Sequence, residues 1–292
     1  MFERLALIGC GLMGGSFALA LREAGLVRRV AGFSATAATT ERALGLGAID
    51  EIATSVGQAA RGADLVLVAV PVAATESTLA ALRPHLAPGA LAMDVGSTKS
   101  DVVAAAERAL GERLACFVPA HPIAGKEKSG IGHAEPALYR GCRVILTPLP
   151  ANPPAQVARA RQVWTAIGAR VVEMAPQAHD TTFAAVSHLP HLLAFALVDG
   201  IVQQDGGDAI LALGGPGFRD FTRIAAADPR MWRDVFLANQ AQLLAQLQAH
   251  REALARFEAL ILAGDADGLE RLIAQASGVR ARWQMNSFTP GT

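Results

Sequence analysis

Leu5-Ala6-Leu7-Ile8-Gly9-Cys10-Gly11-Leu12-Met13-Gly14-Gly15 is the stretch that decides the fold of this chain. Its four apolar residues read as a buried strand. The turn after them carries Gly9, Gly11 and Gly14, and a helix opens at about Leu12 and stops near Gly25. Each glycine has its own physical task. Gly9 permits the tight turn, Gly11 lets backbone approach a pyrophosphate, and Gly14 lets helix and sheet pack closely. The helix start adds unpaired N–H groups and a positive dipole end, which suit an anion. Strand, turn and helix in this order separate a dinucleotide site from a chance run of glycines. Gly9, Gly11, Leu12, Met13 and Gly14 are therefore the candidate cofactor contacts.

Working outward, further short apolar runs read as strands at 30–33, 65–70, 91–95, 116–119, 143–147 and 170–173, with helical segments between them. Continuous apolar strands separated by helices predict a mostly parallel, doubly wound sheet covered on both faces, an α/β Rossmann domain. Val70 and Pro71 close the third run, at the sheet edge where a dinucleotide lies. The proline-rich stretch from Thr147 to Pro154 reads as a strand-to-helix loop. No strand is expected after Pro176. From Trp232 the apolar residues recur every three or four positions, at Val235, Phe236, Leu243, Leu247, Leu254, Phe257 and Ile261, which marks one face of one or two long helices. The chain thus divides into a dinucleotide-binding domain over 1–175 and an all-helical domain over 176–292. The helical stripe calls for a partner, and a homodimer is expected.

The end of the second strand bears on the choice of dinucleotide. An acid there holds the ribose 2′-hydroxyl of NAD. Here the residues are Gly32-Phe33-Ser34-Ala35-Thr36. Ser34 and Thr36 suit a 2′-phosphate, with Arg42 within reach, so the reading tilts to NADP over NAD. The alternative is that Ser34 caps the next helix.

Composition narrows the function. The 292 residues are 52% hydrophobic, enough for a full core, and Lys plus Arg equals Asp plus Glu at 26 each. That balance gives no global field for nucleic acid or an anionic membrane, so an anionic substrate needs a local cation. Cys10, Cys116 and Cys142 have no metal or disulfide spacing, and no metal is expected. The apolar stretch at 192–202 is interrupted by Asp199 and reads as too short to span a bilayer, and Glu3 spoils a signal peptide. A soluble cytoplasmic protein is expected. Lysine occurs only at 99, 126 and 128.

Four further segments carry chemistry: Asp94-Val95-Gly96-Ser97-Thr98-Lys99; His121-Pro122-Ile123-Ala124-Gly125-Lys126-Glu127-Lys128-Ser129-Gly130; Ser187-His188-Leu189-Pro190-His191; and Gly217-Phe218-Arg219-Asp220-Phe221-Thr222-Arg223. With the glycine turn, and in this order, they closely resemble the prephenate/arogenate dehydrogenase family of tyrosine biosynthesis. The resemblance implies a Rossmann domain joined to a helical dimerisation domain. It implies oxidative decarboxylation: a ring carbinol gives hydride to the nicotinamide while the ring carboxylate leaves as carbon dioxide.

The resemblance also implies roles. His121 accepts the proton of the ring hydroxyl, which suits a neutral imidazole. Ser97 orients that hydroxyl, Arg223 clamps the side-chain carboxylate, and His191 and Ser187 line the substrate pocket. Lys99 and Glu127 are lesser members that balance charge and close the site. His188 is read as structural, Trp232 as core and Asp180 as a helix cap. His179, His85, His133 and His250 receive no role. Prephenate is favoured over arogenate because His191 offers a cation or donor to a keto acid. An arogenate-specific enzyme and a catalytically silent nucleotide sensor are the alternatives. The β-hydroxyacid dehydrogenases share the first turn, but they use a lysine in the helical domain, which this chain lacks there.

Overall fold

The computed structural model describes residues 1–126 and 128–284. Its strands are β1 (Phe2–Ile8), β2 (Val27–Phe33), β3 (Glu51–Ile52), β4 (Leu65–Val68), β5 (Leu91–Asp94), β6 (Phe117–Val118), β7 (Ala120–Pro122), β8 (Arg143–Leu146) and β9 (Arg170–Glu173). The first six form one parallel sheet in the order β3-β2-β1-β4-β5-β6. The order reverses between β1 and β4. Chain connections diverge there and leave a crevice at the carboxyl ends of the strands, where ligands bind in such sheets.

Helices cover both faces, which is why the strands are apolar on both sides. They are α1 (Leu12–Glu23), α2 (Ala37–Gly45), α3 (Val56–Ala60), α4 (Thr75–Leu82), α5 (Ser100–Leu110) and α6 (Pro154–Ala166). Leu5 and Leu7 enter one core with Phe17 and Trp164, while Ala6 and Ile8 enter the other with Ala59, Leu79 and Val102. Trp164 packs against Phe17 at 4.9 Å and Tyr139 at 5.2 Å between ring centroids. The Tyr139 hydroxyl donates to the Met13 carbonyl at 2.6 Å, which pins a segment far along the chain onto the first turn of α1.

One expectation is corrected here. The runs at 143–147 and 170–173 do not extend the first sheet. They are β8 and β9 of a second sheet, in which β7 pairs antiparallel with β8 and β8 parallel with β9. The chain leaves the first sheet at Pro119, between β6 and β7. Proline has no N–H for a ladder, and the next N–H, of Ala120, donates to the Asp94 carboxylate at 2.9 Å rather than to a strand.

After Glu173 the described residues are helical: α7 (Pro176–Phe183), α8 (Leu189–Val202), α9 (Gly207–Ala212), α10 (Pro216–Thr222), α11 (Pro229–Ala238), α12 (Gln240–Ala263) and α13 (Ala266–Arg282). A π-turn over Ala184–His188 joins α7 to α8. Pro190 cannot donate to the Val186 carbonyl four residues earlier, which loosens the turn at this point. The joined helix Pro176–Val202 has 27 residues and is long and apolar enough to cross a membrane by length and composition, so the reading of this region as too short is corrected.

Two compact units emerge. Met1–Asn239 is one, so α7 to α11 fold with the sheets, and the second begins at Gln240. The expected apolar stripe breaks between α11 and α12 at Asn239, which is 4% exposed. In the second unit α12 and α13 form a hairpin, turned by Gly264 at φ 63° and capped by Asp265, which accepts from Gly268 N–H at 2.8 Å.

Candidate active site

The glycine turn separates three tasks in space. Gly9 has φ 100°, and a Cβ there would lie 2.1 Å from the Ala69 carbonyl oxygen, so the chain just beyond β1 can approach the end of β4 this closely only through glycine. A Cβ on Gly14 would lie 2.1 Å from the Gly9 carbonyl oxygen. At Gly11 a Cβ would meet nothing within 4 Å, so its missing side chain leaves open space in front of α1. No side chain caps the start of α1 and its first turn has no acid. Leu12, Met13 and Gly14 therefore begin a helix whose N–H groups are available to an anion. This fits a dinucleotide pyrophosphate. Val70 and Pro71 follow β4, next to the Ala69 carbonyl under Gly9.

The residues proposed for a 2′-phosphate are placed differently from expectation. The Ser34 hydroxyl accepts from Cys10 N–H at 2.8 Å, which braces the glycine turn instead of capping α2. Thr36 stands at the start of α2 with its hydroxyl 2.8 Å from that of Thr39. Arg42 lies in the last turn of α2, and its guanidinium occupies the space beside Gly132.

A buried polar framework lies beyond β5. Asp94 forms an ion pair with Lys99, and neither side chain is more than 3% exposed. The same carboxylate accepts from Gly96 N–H at 2.8 Å and Ala120 N–H at 2.9 Å, tying residues 95–99 to β7. Lys99 was expected among the substrate contacts. Its ammonium is instead fully enclosed on Asp94, because an unpaired charge at this depth is prohibitively costly. Asp180, on α7, accepts from the N–H groups of Lys99 and Ser100, both at 2.8 Å. It caps a helix as expected, but the helix is α5 rather than its own.

His121 sits on β7, opposite Ile145. Its Nδ1 is 2.8 Å from His179 Nε2, and His179 Nδ1 is 2.8 Å from Asp180 Oδ1. Phe183 packs on both imidazoles, at 5.0 and 4.5 Å between ring centroids. Burial pushes His121 well below its ordinary value of 6.5, and the neighbouring His179, Lys99 and His188 push it the same way. Burial also lowers His179, although its bond to Asp180 works against this. Burial raises Asp180, but the bonds from His179, Ser100 and Lys99 prevail and hold it below the ordinary carboxylate value. The net result is two neutral imidazoles beside one carboxylate. Sequence reasoning gave His179 no role. A histidine–aspartate pair on an amphipathic helix carries no spacing signal, and its partners are far away in the chain.

His188 is buried against the Ser97 backbone and lowered to about 4, chiefly by burial. Its Nδ1 is 3.1 Å from Asn239 Nδ2, and that amide also donates to the Asp180 carbonyl at 2.8 Å. His188 is thus part of the framework, as expected for a structural residue. Ser97 is half-buried in the loop after β5. His191 donates from Nδ1 to the Ser187 carbonyl at 2.9 Å and stacks on Trp232 at 3.6 Å. Burial lowers the His191 pKa, its bond to Ser187 raises it, and the charge of nearby Arg223 lowers it further. His191 is therefore neither a cation nor a donor on its free side, contrary to the sequence reading. Its Nε2 is an acceptor. Arg223 opens a short 3₁₀ turn, Arg223–Ala226, after α10. Glu127 lies outside the described residues.

Family models of the prephenate dehydrogenase nucleotide-binding domain and dimerization domain match residues 17–173 and 175–275. The chain belongs to the prephenate dehydrogenase family. Within it, cyclohexadienyl dehydrogenase of Zymomonas mobilis is 34% identical over 92% of each chain. Prephenate dehydrogenase of Bacillus subtilis is 33% identical over 96% of this chain and 76% of its own length. A crystal structure of prephenate dehydrogenase from Aquifex aeolicus, in complex with hydroxyphenyl propionate and NAD+, superposes with a TM-score of 0.91 at 35% identity, covering 96% of this chain and 98% of that one. The α/β fold with a helical C-terminal half and the dinucleotide turn are those of this family.

Proposed function

We propose that this protein is an NAD(P)-dependent dehydrogenase that oxidatively decarboxylates prephenate, with arogenate as a second substrate. The observation that carries the reading is His121. It is a neutral, half-enclosed imidazole whose Nε2 makes no hydrogen bond among the described residues, and it stands beyond the carboxyl ends of the strands that present the glycine turn. The nicotinamide, when bound, supplies the hydride acceptor. His121 Nε2 would take the proton of the ring hydroxyl as the carbinol hydride leaves, and would return it to the phenolate oxygen once the ring carboxylate has departed as carbon dioxide and its bonding electrons have aromatised the ring. Ser97 orients the hydroxyl. Arg223, with Ser187 and His191 beside it, holds the side-chain carboxylate, a task suited to the planar guanidinium. Lys99 holds the loop and keeps His121 neutral.

His191 favours a second reading. An acceptor at Nε2 suits the side-chain ammonium of arogenate better than a keto group. Steady-state kinetics with prephenate and arogenate, each with NAD and NADP, test all of this by absorbance of the reduced nicotinamide. Turnover of prephenate is expected. No reduction with any pair rejects the enzyme in favour of a silent sensor, and turnover of arogenate alone selects the arogenate-specific alternative. The lack of an acid in the residues after β2, Ser34-Ala35-Thr36, supports NADP. Arg223→Ala is expected to raise the substrate KM, and an unchanged KM rejects the clamp.

We further propose a homodimer in the cytoplasm, with the boundary at 175 lying where the nucleotide-binding match gives way to the dimerization match, although α7 to α11 fold into one compact unit with the sheets. The helix Pro176–Val202 exposes Val186, Leu197 and Val202 within one chain, and α12 and α13 expose Leu244, Leu254, Ile261, Leu262, Ile273 and Val279. A second copy covers such surface in a dimerisation domain. Sedimentation of the soluble protein as a monomer overturns this.

A further inference from the structure

We propose that His179 and Asp180 are positioning residues that fix the His121 imidazole in the tautomer whose bare Nε2 faces the substrate. The inference rests on the reading of His121 as the proton acceptor. The argument is one of donors and acceptors. Asp180 accepts backbone N–H bonds at both oxygens, from Lys99 at Oδ1 and Ser100 at Oδ2, which holds it as a carboxylate. A carboxylate only accepts, so His179 donates from Nδ1, 2.8 Å away. A neutral imidazole that donates from Nδ1 has a lone pair at Nε2. His121 Nδ1 lies 2.8 Å from that lone pair and must carry the hydrogen. His121 Nε2 is then left as a lone pair, the form a general base requires. The orientation is propagated from a helix start through two rings, and each link is anchored. Asp180 is held by the first N–H groups of α5, its own carbonyl accepts from Asn239, and Phe183 packs against both rings.

The opposite tautomer would put a hydrogen on His121 Nε2, where it cannot take a proton, and would set Nδ1 lone pair against His179 Nε2 lone pair. The charged and titratable groups acting on His121 are His179, Lys99 and His188, with Asp94 paired to Lys99 and Asp180 bonded to His179. When His121 becomes an imidazolium, its Nδ1–H bond to His179 strengthens, and Asp180 polarises His179 to receive it. A carboxylate behind a catalytic histidine plays this part in hydrolytic triads. Here a second imidazole stands between them.

The test joins a spectrum to kinetics. In the wild-type protein, ¹⁵N-resolved spectra of imidazoles should show His121 protonated on Nδ1 and bare on Nε2 at neutral pH. A hydrogen on Nε2 overturns the proposal, and this measurement needs no variant to fold. His179→Ala should lower kcat by about 10- to 100-fold, the size of effect typical when an outer partner orients a working histidine. Substrate and dinucleotide KM should stay within a factor of about two. His179→Gln, whose amide can both accept from His121 and donate to Asp180, should recover much of that loss. The acid limb of the kcat/KM profile should shift in His179→Ala and return in His179→Gln. A normal kcat in His179→Ala, with His121→Asn inactive, rejects the positioning role but keeps the base. A normal kcat in His121→Asn rejects both.

Discussion

The glycine turn and the imidazole cluster are built on opposite plans. The turn is made of backbone. Its parts lie within a few residues of one another, and what matters is where side chains are absent. The cluster is made of side chains drawn from β7, α7 and the π-turn after it, anchored on the first N–H groups of α5. His121 and His179 are 58 positions apart, and Asp180 and Ser100 are 80 apart. A local device tolerates little substitution, and its distant contacts, from Ser34 and Tyr139, brace it without forming it. A dispersed one depends on a buried framework that has no catalytic contact of its own.

That contrast can be broken at four points, in descending order of effect. His121→Asn keeps a polar group near the Nδ1 position and removes the base. Its kcat is expected to fall by about 10²–10⁴-fold with dinucleotide binding intact, as measured by turnover and by cofactor titration. Equal loss of both would place His121 in the fold rather than in the chemistry. Lys99→Met strikes the framework. It leaves Asp94 enclosed without its cation and should cost about 3–5 kcal/mol in urea unfolding. A loss of catalysis at unchanged stability would return Lys99 to the substrate contacts. The third point divides the glycines themselves. Gly11→Val fills open space and should raise the dinucleotide KM at least tenfold, about 1.4 kcal/mol, with little change in Tm. Gly14→Val meets the Gly9 carbonyl and should lower Tm as well. If the two variants behave alike, the separation of cradle from packing is wrong.

The smallest effect is one of pH. His121, His179, His188 and His191 all have folded-state values below 6.5. The unfolded chain then binds more protons below 6.5, so stability is full above that pH and falls as pH drops toward the folded values. For His188, lowered to about 4, the loss runs from about 6.5 to 4 and reaches roughly 1 kcal/mol by pH 6. Chemical denaturation across pH 7 to 5 measures it. Stability that rises on acidification would mean that these imidazoles fold as cations.

The plan of each region explains what could be read from the chain alone. Gly9, Gly11 and Gly14 announce a dinucleotide because strand, turn and helix follow one another directly, and the physics of each glycine is local. The motifs around Ser97, His121, Ser187, His191 and Arg223 are likewise short, and they name the family. By contrast, Lys99 looked like a pocket cation in sequence. Only the fold encloses it on Asp94. Asp180 looked like a cap for its own helix and caps α5 instead. His179 carried no signal at all.

The α/β class, the dinucleotide turn and the family are legible in the order of residues, because these rest on periodicity, turn chemistry and contiguous motifs. The tertiary structure alone decided that the chain leaves its first sheet at Pro119, that Ser34 braces the glycine turn, that His191 presents an acceptor, and that His121 leans on His179 and Asp180. The physical reason is the same in each case. Which polar group satisfies a buried donor depends on what the fold brings within hydrogen-bond distance, and residues scores of positions apart leave no trace of that meeting in their order along the chain.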